Sequence, residues 1–275
     1  MKKVAIAGIV ILIIIAAAYF LFIAPKPATA AILYIEQGTV EVNTGKGWQP
    51  ATDEMELGTG DSVKTGDGEA TVVLLEGEVM HIQPNSEVKL EQISGKAIKI
   101  SQLSGETWNK VTKLSGISEY TVETPTTVAT VRGTEFFINE EQLDVADGEV
   151  EYGPKTEPRK LKVRAKKRAM AKIMQEEDMT DEELTRFKDF PEKYENMLKR
   201  VRAREIKKHE KILKMAAKRG FTEEKLQEQL NAIDEGLQNA DEFYQKVPAV
   251  MKPRAKRIYM LTKEIKQAKE KQRKK

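Results

Sequence analysis

TPTTVATVRGTEFFI, residues 124–138, is the segment that decides the fold of this chain. Pro125 disfavours a helical conformation at the preceding residue, and the β-branched residues that follow it favour a strand. Gly133 permits a bend, and residues 135–138 then resume the apolar pattern of a second strand. The segment therefore predicts two β-strands joined by a glycine bend.

The same alternation of short apolar runs and turn residues extends over residues 32–163. No convincing helix-period stretch interrupts it, and Gly, Asn or Asp stands between the runs, as in Asp147-Gly148. We therefore predict an all-β domain over residues 32–163, with 160–163 as a candidate last strand. The other predicted strands are 32–35, 39–42, 62–65, 70–75, 79–83, 87–92, 97–103, 106–111, 120–123, 127–131, 135–139, 144–146 and 149–152.

This region resembles the FecR protein domain family. The most recognisable element of that family, a Thr-Pro step followed by Val-Arg-Gly-Thr-x-Phe, is matched by Thr124, Pro125, Val131, Arg132, Gly133, Thr134 and Phe136. Further matches are Gly60, Asp61, Thr65, Gly66 and Trp48. Trp108 stands where the family pattern has a valine. The resemblance implies a compact β fold, solenoid-like or sandwich, in which these motif residues are structural.

An apolar run precedes the β domain. Residues 4–24 carry no charge, and as a helix they would span roughly 31 Å, which matches the core of a bilayer. Lys2 and Lys3 place residues 1–3 in the cytoplasm by the positive-inside rule, and a linker at 25–31 leads to the β domain outside. We expect a single-pass signal anchor. The alternative is secretion after cleavage near Ala30, because Ala28-Thr29-Ala30 has the form of a signal-peptidase site.

Residues 164–275 have the composition of helices and predict a separate, charged α-helical domain. Thr180 and Glu183 form a predicted capping box, and a long helix is expected from Pro191 to Arg219. A further helix carries an apolar stripe through which the tail could form homo-oligomers. The stripe consists of Leu226, Leu230, Ile233 and Leu237.

The net charge of +3 conceals a strong asymmetry. Residues 31–155 carry 9 basic and 22 acidic side chains, whereas residues 156–275 carry 34 basic and 21 acidic ones. The basic region is expected to engage an acidic surface, either of its own β domain or of a partner. The predicted topology excludes nucleic acid as that partner. Solvated helix faces explain most of the basic residues, and a membrane surface or an anionic envelope component is the alternative.

No catalytic, cofactor-binding or metal-binding residue is predicted. The chain has no cysteine, and its two histidines, His81 and His209, lie far apart in the sequence. Asp61 and Asp67 suit turns better than a calcium site. Arg132 could hold an anionic ligand, but we prefer an ion pair with a nearby acid that fixes the bend.

We therefore expect a membrane-anchored extracytoplasmic protein for binding, sensing or scaffolding, and not an enzyme. The best-known FecR proteins control a sigma factor through a cytoplasmic segment during iron–siderophore uptake, and three residues before the membrane run leave no room for that segment. The expected partner is a protein or an anionic envelope component. The alternative is a structural cell-envelope protein whose helical tail oligomerises or binds anionic polymer.

Overall fold

The computed structural model describes residues 31–75, 77–112, 117–157 and 160–217. Over these residues the chain forms two nine-stranded β-sheets, which share one core as a sandwich, followed by two helices. The sandwich is one of the two architectures that the sequence analysis predicts.

We call the two sheets sheet I and sheet II, and their strands run from one edge to the other as follows. Sheet I contains β4 (Met55–Leu57), β1 (Ala31–Gln37), β6 (Glu69–Leu74), β7 (Glu78–Ile82), β10 (Thr107–Lys110), β13 (Glu135–Ile138), β14 (Gln142–Asp147), β17 (Lys167–Met170) and β18 (Glu176–Asp178). Sheet II contains β3 (Trp48–Pro50), β2 (Val40–Asn43), β5 (Ser62–Thr65), β8 (Glu87–Ile93), β9 (Ala97–Ser104), β11 (Glu119–Glu123), β12 (Thr127–Val131), β15 (Glu149–Pro154) and β16 (Leu161–Arg164).

The chain alternates between the two sheets, in most cases after one hairpin. Because each new strand is added on the same side, the spatial order largely follows the sequence, which gives the sandwich a solenoid-like winding. The described strand pairs are antiparallel except β9 and β11, which run parallel with Ile98 opposite Tyr120.

The main core lies between the sheets. On β12, Ala129 and Val131 point inward and are buried, while Val128 and Thr130 are partly exposed, as the two-residue period of a strand requires. From sheet I, Phe136 meets them in the same core. Burial of a large apolar side chain contributes roughly 1.5–3 kcal/mol, so this core holds the two sheets together.

Sheet I extends beyond residue 163, the predicted end of the β domain. β17 pairs with β14, and β18 pairs with β17, so strands continue to Asp178. The expectation of helical structure from residue 164 is wrong for this segment. Its charged composition favours helix locally, but Ala169 is buried and Arg168 reaches Asp144, and this tertiary pairing outweighs local propensity.

Two helices follow, α1 (Asp181–Thr185) and α2 (Phe190–Ala217). The predicted capping box is confirmed, because Glu183 N donates to Thr180 Oγ1 at 3.2 Å and Thr180 N donates to Glu183 Oε2 at 2.8 Å. α2 packs on the outer face of sheet I. In its described part the helical region is therefore a third layer on the sandwich and not a separate domain.

The predicted membrane segment at 4–24 and the leucine stripe of the tail lie outside the described residues. Within the described part of the chain, no helix is long and apolar enough to cross a membrane.

Candidate functional site

The first half of the central motif forms a tight turn between β11 and β12. Thr127 N donates to Thr124 Oγ1 at 3.0 Å, and Thr124 N donates to the Thr127 carbonyl at 3.0 Å. Both side chains are buried, and their hydroxyl oxygens lie 2.8 Å apart. Pro125 is exposed at the tip of this turn. These contacts fix the hairpin.

The second half of the motif forms the bend between β12 and β13. Gly133 has a φ of +78°, a left-handed conformation that favours glycine. Thr134 Oγ1 donates to the Glu149 carbonyl at 3.0 Å and ties the bend to β15. Val131 and Phe136 are buried in the main core on either side of it. These contacts hold the bend between the two sheets.

Arg132 differs from the rest of the motif. Its side chain is exposed beside a groove of about 480 Å³, which Glu149 and Glu151 also line. Within the described residues it has neither an ion pair nor a side-chain hydrogen bond, so the expected pairing with an acid is not present there. The two glutamates disfavour an anionic ligand in this groove.

A second set of motif residues folds the turns beside β5. Asp61 Oδ2 accepts a hydrogen bond from Gly58 N at 2.7 Å, and Thr65 Oγ1 donates to the Gln83 carbonyl at 2.7 Å. The first bond closes the turn before the strand, and the second joins the end of the strand to the loop between β7 and β8. The set comprises Gly60, Asp61, Thr65 and Gly66.

Trp48 lies apart from both sets. It is exposed on the edge strand β3, with Lys64 Nζ 5.9 Å from its ring centroid. The structure therefore spreads the predicted motif residues over separate turns and does not bring them together in one site. The best candidate for a functional surface is a different one, the outer face of sheet I beneath α2.

An aromatic cluster joins α2 to sheet I. Trp108 on β10 stacks on Phe190 at the start of α2, with ring centroids 4.6 Å apart. Phe137 on β13 contacts Phe190 edge to face at 5.2 Å. Tyr194 and Leu198 of the helix are buried on the same face. Because these rings would otherwise face water, their burial favours docking of the helix.

Ion pairs surround this cluster. Arg200 Nη2 lies 3.1 Å from Asp53 Oδ2, and Arg204 Nη2 lies 2.9 Å from Glu56 Oε1. The basic region thus contacts acidic side chains of its own β region, one of the two outcomes that the charge asymmetry predicts. Exposed pairs of this kind contribute about 1 kcal/mol or less each. Further pairs are Lys193–Glu69, Arg200–Glu36 and Arg204–Glu54.

A buried carboxylate fixes the chain between the sandwich and α2. Asp144 on β14 is fully buried and accepts hydrogen bonds from Arg168 Nε at 2.6 Å and from Arg186 Nη1 at 3.0 Å. Arg168 also pairs with Glu183, and Arg186 pairs with Glu106. The hydrogen bond to Asp144 raises the pKa of Arg168 above its ordinary value. The two arginines compensate a charge that could not be buried alone.

A cleft of about 370 Å³ remains between α2 and sheet I. On its floor, His81 Nδ1 lies 2.9 Å from Thr71 Oγ1 and His81 Nε2 lies 3.1 Å from Glu69 Oε2. Burial, and secondarily the charge of Lys193, lowers the pKa of His81 from 6.5 to about 4. The neutral imidazole then accepts from Thr71 and donates to Glu69, so both ring nitrogens are occupied. Nowhere in the described ranges do three or more potential metal ligands gather.

Comparison with known proteins identifies the β region. A family model described as FecR protein matches residues 61–152. The chain contains a FecR domain. The matched FecR segment runs from just before β5 into β15, so α2 lies outside it. No curated protein matches the chain.

Two crystal structures of a "putative anti-sigma factor" from Parabacteroides distasonis are similar to this chain, at 15% sequence identity and a TM-score of 0.38. The similarity covers 45% of this chain and 62% of that one. The chain therefore spans less than two thirds of the length of the solved relative.

The sequence analysis missed the helix-covered face of the FecR domain, although signals for it were present. Adjacent strand residues point to opposite faces, so Phe136 and Phe137 cannot both lie in the sandwich core. The consecutive apolar residues 72–74 on β6 likewise indicate a strand that is buried on both faces. Trp108, in place of the valine of the FecR pattern, enlarges the same outer face.

Proposed function

We propose that this protein is a membrane-anchored, extracytoplasmic binding module whose FecR domain receives a basic amphipathic helix on the outer face of sheet I. The observation that carries the proposal is the stacking of Trp108 on Phe190 at the centre of an aromatic face with an acidic rim. Such a face recognises a helix by shape and charge. That is a binding function, and it requires no catalytic group.

The two kinds of contact have different roles. Apolar burial supplies most of the free energy of docking, at about 25 cal/mol per Å². Partly exposed ion pairs such as Arg200–Asp53 orient the helix and weaken with salt, because the Debye length is about 8 Å at physiological ionic strength. A partner that competes for the helix can therefore shift it from the docked to a released state, and these two states would make the module a sensor.

The anchor in this proposal is the apolar run 4–24, and the rest of the chain lies outside the cytoplasm. The partner in this proposal is a protein or an anionic envelope component. Residues 156–275 carry 34 basic and 21 acidic side chains, and this excess of basic groups supports the choice. Nucleic acid is not expected at that location. The apolar stripe of the tail offers a surface for a second copy.

Protease added to spheroplasts that contain the full-length chain tests the topology. We expect digestion of most of the chain, with the remainder retained in the membrane fraction. Lysed spheroplasts serve as the control for cleavability. Full protection in intact spheroplasts would show the opposite orientation, and a soluble product that begins at Ala31 would show cleavage.

Proximity labelling from the full-length chain in native membranes tests the binding role. Charge reversal of Arg200 and Arg204 to Glu weakens helix docking, so labelling of a specific partner should change severalfold. Lys162→Glu is the matched control, since Lys162 lies on β16, in the other sheet. Labelling that is identical in all variants, together with a salt-sensitive oligomer, would instead support a structural role.

A further inference from the structure

The cleft between α2 and sheet I has the size and lining of a small-molecule site. Its volume of about 370 Å³ falls in the usual range for ligand pockets, roughly 300–1,000 Å³. Its apolar wall includes Val79 and Trp108 from the sheet and Phe190 and Met197 from the helix. Docking of the helix requires close contact along this face. Docking alone therefore does not explain why a cleft lies there.

Charged groups of both signs border the cleft. Lys193 Nζ lies 3.7 Å from Glu69 Oε2, and Arg200 Nη1 lies 3.8 Å from Glu36 Oε1. Both distances exceed that of a hydrogen bond. The ammonium of Lys193 and Nη1 of Arg200 therefore keep donors available to a ligand.

This balance of charge selects among ligands. Lys193 and Arg200 would attract a simple anion, but Glu36 and Glu69 would repel it. A simple cation would be attracted by the two glutamates and repelled by the lysine and the arginine. A molecule that carries both charges at opposite ends of a short group gains from both sets. An apolar side group on the same molecule would contact the wall.

A further observation points to an occupant. Glu69 is held from both sides, because Gln37 Nε2 donates to Oε1 at 3.2 Å and His81 Nε2 donates to Oε2 at 3.1 Å. A carboxylate fixed in this way is preorganised for a ligand ammonium group.

We propose that this cleft binds a small zwitterion with an apolar side group, of the chemical class of free α-amino acids. The ligand ammonium lies against Glu36 and Glu69, its carboxylate lies against Lys193 and Arg200, and its side group contacts Trp108. This site goes beyond the helix-binding role and does not depend on the topology of the chain in a membrane. Its occupant contacts both α2 and the sheet, so binding strengthens docking of the helix.

Fluorescence titration of the purified full-length chain tests the proposal. The chain has two tryptophans, so Trp48→Phe leaves Trp108 as the single reporter. The probes are phenylalanine, phenylalaninamide, which lacks the carboxylate, and 3-phenylpropionate, which lacks the ammonium. We expect a saturable change in Trp108 emission with phenylalanine and at least about tenfold weaker binding of each analogue, corresponding to about 1.4 kcal/mol per lost charge.

Charge variants then assign the two ends of the ligand. Lys193→Gln should weaken phenylalanine binding about tenfold without weakening phenylalaninamide, and Glu69→Gln should weaken phenylalanine without weakening 3-phenylpropionate, because each variant removes a charge that repels the analogue. Lys199→Gln is the matched control, because Lys199 lies on the same helix and pairs with Glu195 outside the cleft. Circular dichroism verifies that each variant is folded.

The absence of a saturable change with either phenylalanine or leucine up to about 20 mM, in a folded protein, would overturn the proposal. Equal affinities for phenylalanine and its two analogues would also overturn it, because they would show an apolar cleft without charge selection. Neither result would affect the helix-binding role, which is measured with the topology and labelling experiments.

Discussion

The indole ring of Trp108 and the phenyl ring of Phe190 stack with their centroids 4.6 Å apart and their planes at 26°. Trp108 belongs to the FecR domain, and Phe190 begins the helix that lies outside the matched segment. This contact couples the two parts of the chain, because both rings are buried only while the helix is docked.

Phe190→Ala should weaken docking of α2 by about 3 kcal/mol, since it removes a buried ring and leaves a cavity beside Trp108. In the Trp48→Phe background, Trp108 emission should shift to the red, and the helix should be released at lower denaturant concentration. Ile173→Ala is the control, because Ile173 is exposed and its truncation should have little effect. Equal transitions in the two variants would show that the ring does not support docking.

Asp144→Asn should destabilise the folded chain by about 3–5 kcal/mol, because it leaves Arg168 and Arg186 partly buried without their carboxylate. Denaturant unfolding of the full chain measures this change. Lys162→Met removes one partner of an exposed pair with Glu149 and should cost about 1 kcal/mol or less. A loss at Asp144 no greater than at Lys162 would contradict the structural role of the buried network.

Gly148→Ala should cost about 2–3 kcal/mol, for two reasons. The φ of this residue is +93°, and a Cβ there would lie 2.8 Å from the Gly133 carbonyl oxygen. Gly133→Val should cost a similar amount, because Gly133 also has a positive φ. Gly95→Ala is the matched control, since a Cβ at that turn would meet open space. Thermal melting that is the same for Gly148→Ala and Gly95→Ala would refute the constraint on the bend.

Stability should fall on acidification through the titration of His81. Its pKa is about 4 in the folded protein and near 6.5 in the unfolded chain, so between these values the unfolded state binds the extra proton. The stabilisation from the neutral imidazole is complete above pH 6.5 and is lost as the pH falls toward 4, with a magnitude on the order of 3 kcal/mol. The charged groups around it are Glu69, Lys193, Glu36 and Arg200.

The variant His81→Gln should reduce this pH dependence while leaving the contributions of the carboxylates in place. The difference in unfolding free energy between pH 7.5 and pH 5, measured in urea, gives the comparison. Parallel pH profiles for the two proteins would show that His81 is not held neutral in the folded state.

The strands of the FecR region were predictable because their turns and their periodicity are local properties. The predicted spans 62–65 and 127–131 coincide with β5 and β12. The two short strands after residue 163 were not predictable in this way. Lys167–Met170 has a helical composition, and its strand conformation depends on pairing with β14, which is remote in the sequence.

The candidate site was less accessible to sequence analysis than the fold. The central motif drew attention because it resembles a family, yet its residues serve turns, as the buried hydroxyls of Thr124 and Thr127 show. The surface that holds α2 depends on residues from distant strands, such as Trp108 and Phe137, that meet only when sheet I forms. The opposite charges of the two regions did indicate the contact, but they did not indicate which strands would carry it.

Thiol labelling of single-cysteine variants tests the docking of α2 on the FecR domain most directly, because the chain has no cysteine of its own. Leu198 is fully buried against sheet I, and the side chain of the neighbouring Lys199 is exposed. In the full-length chain, we expect Lys199→Cys to react with a maleimide about 100-fold faster than Leu198→Cys, with the two rates becoming equal in denaturant. Equal rates under native conditions would show that α2 is not docked on the sandwich, and they would contradict the proposed helix-binding role.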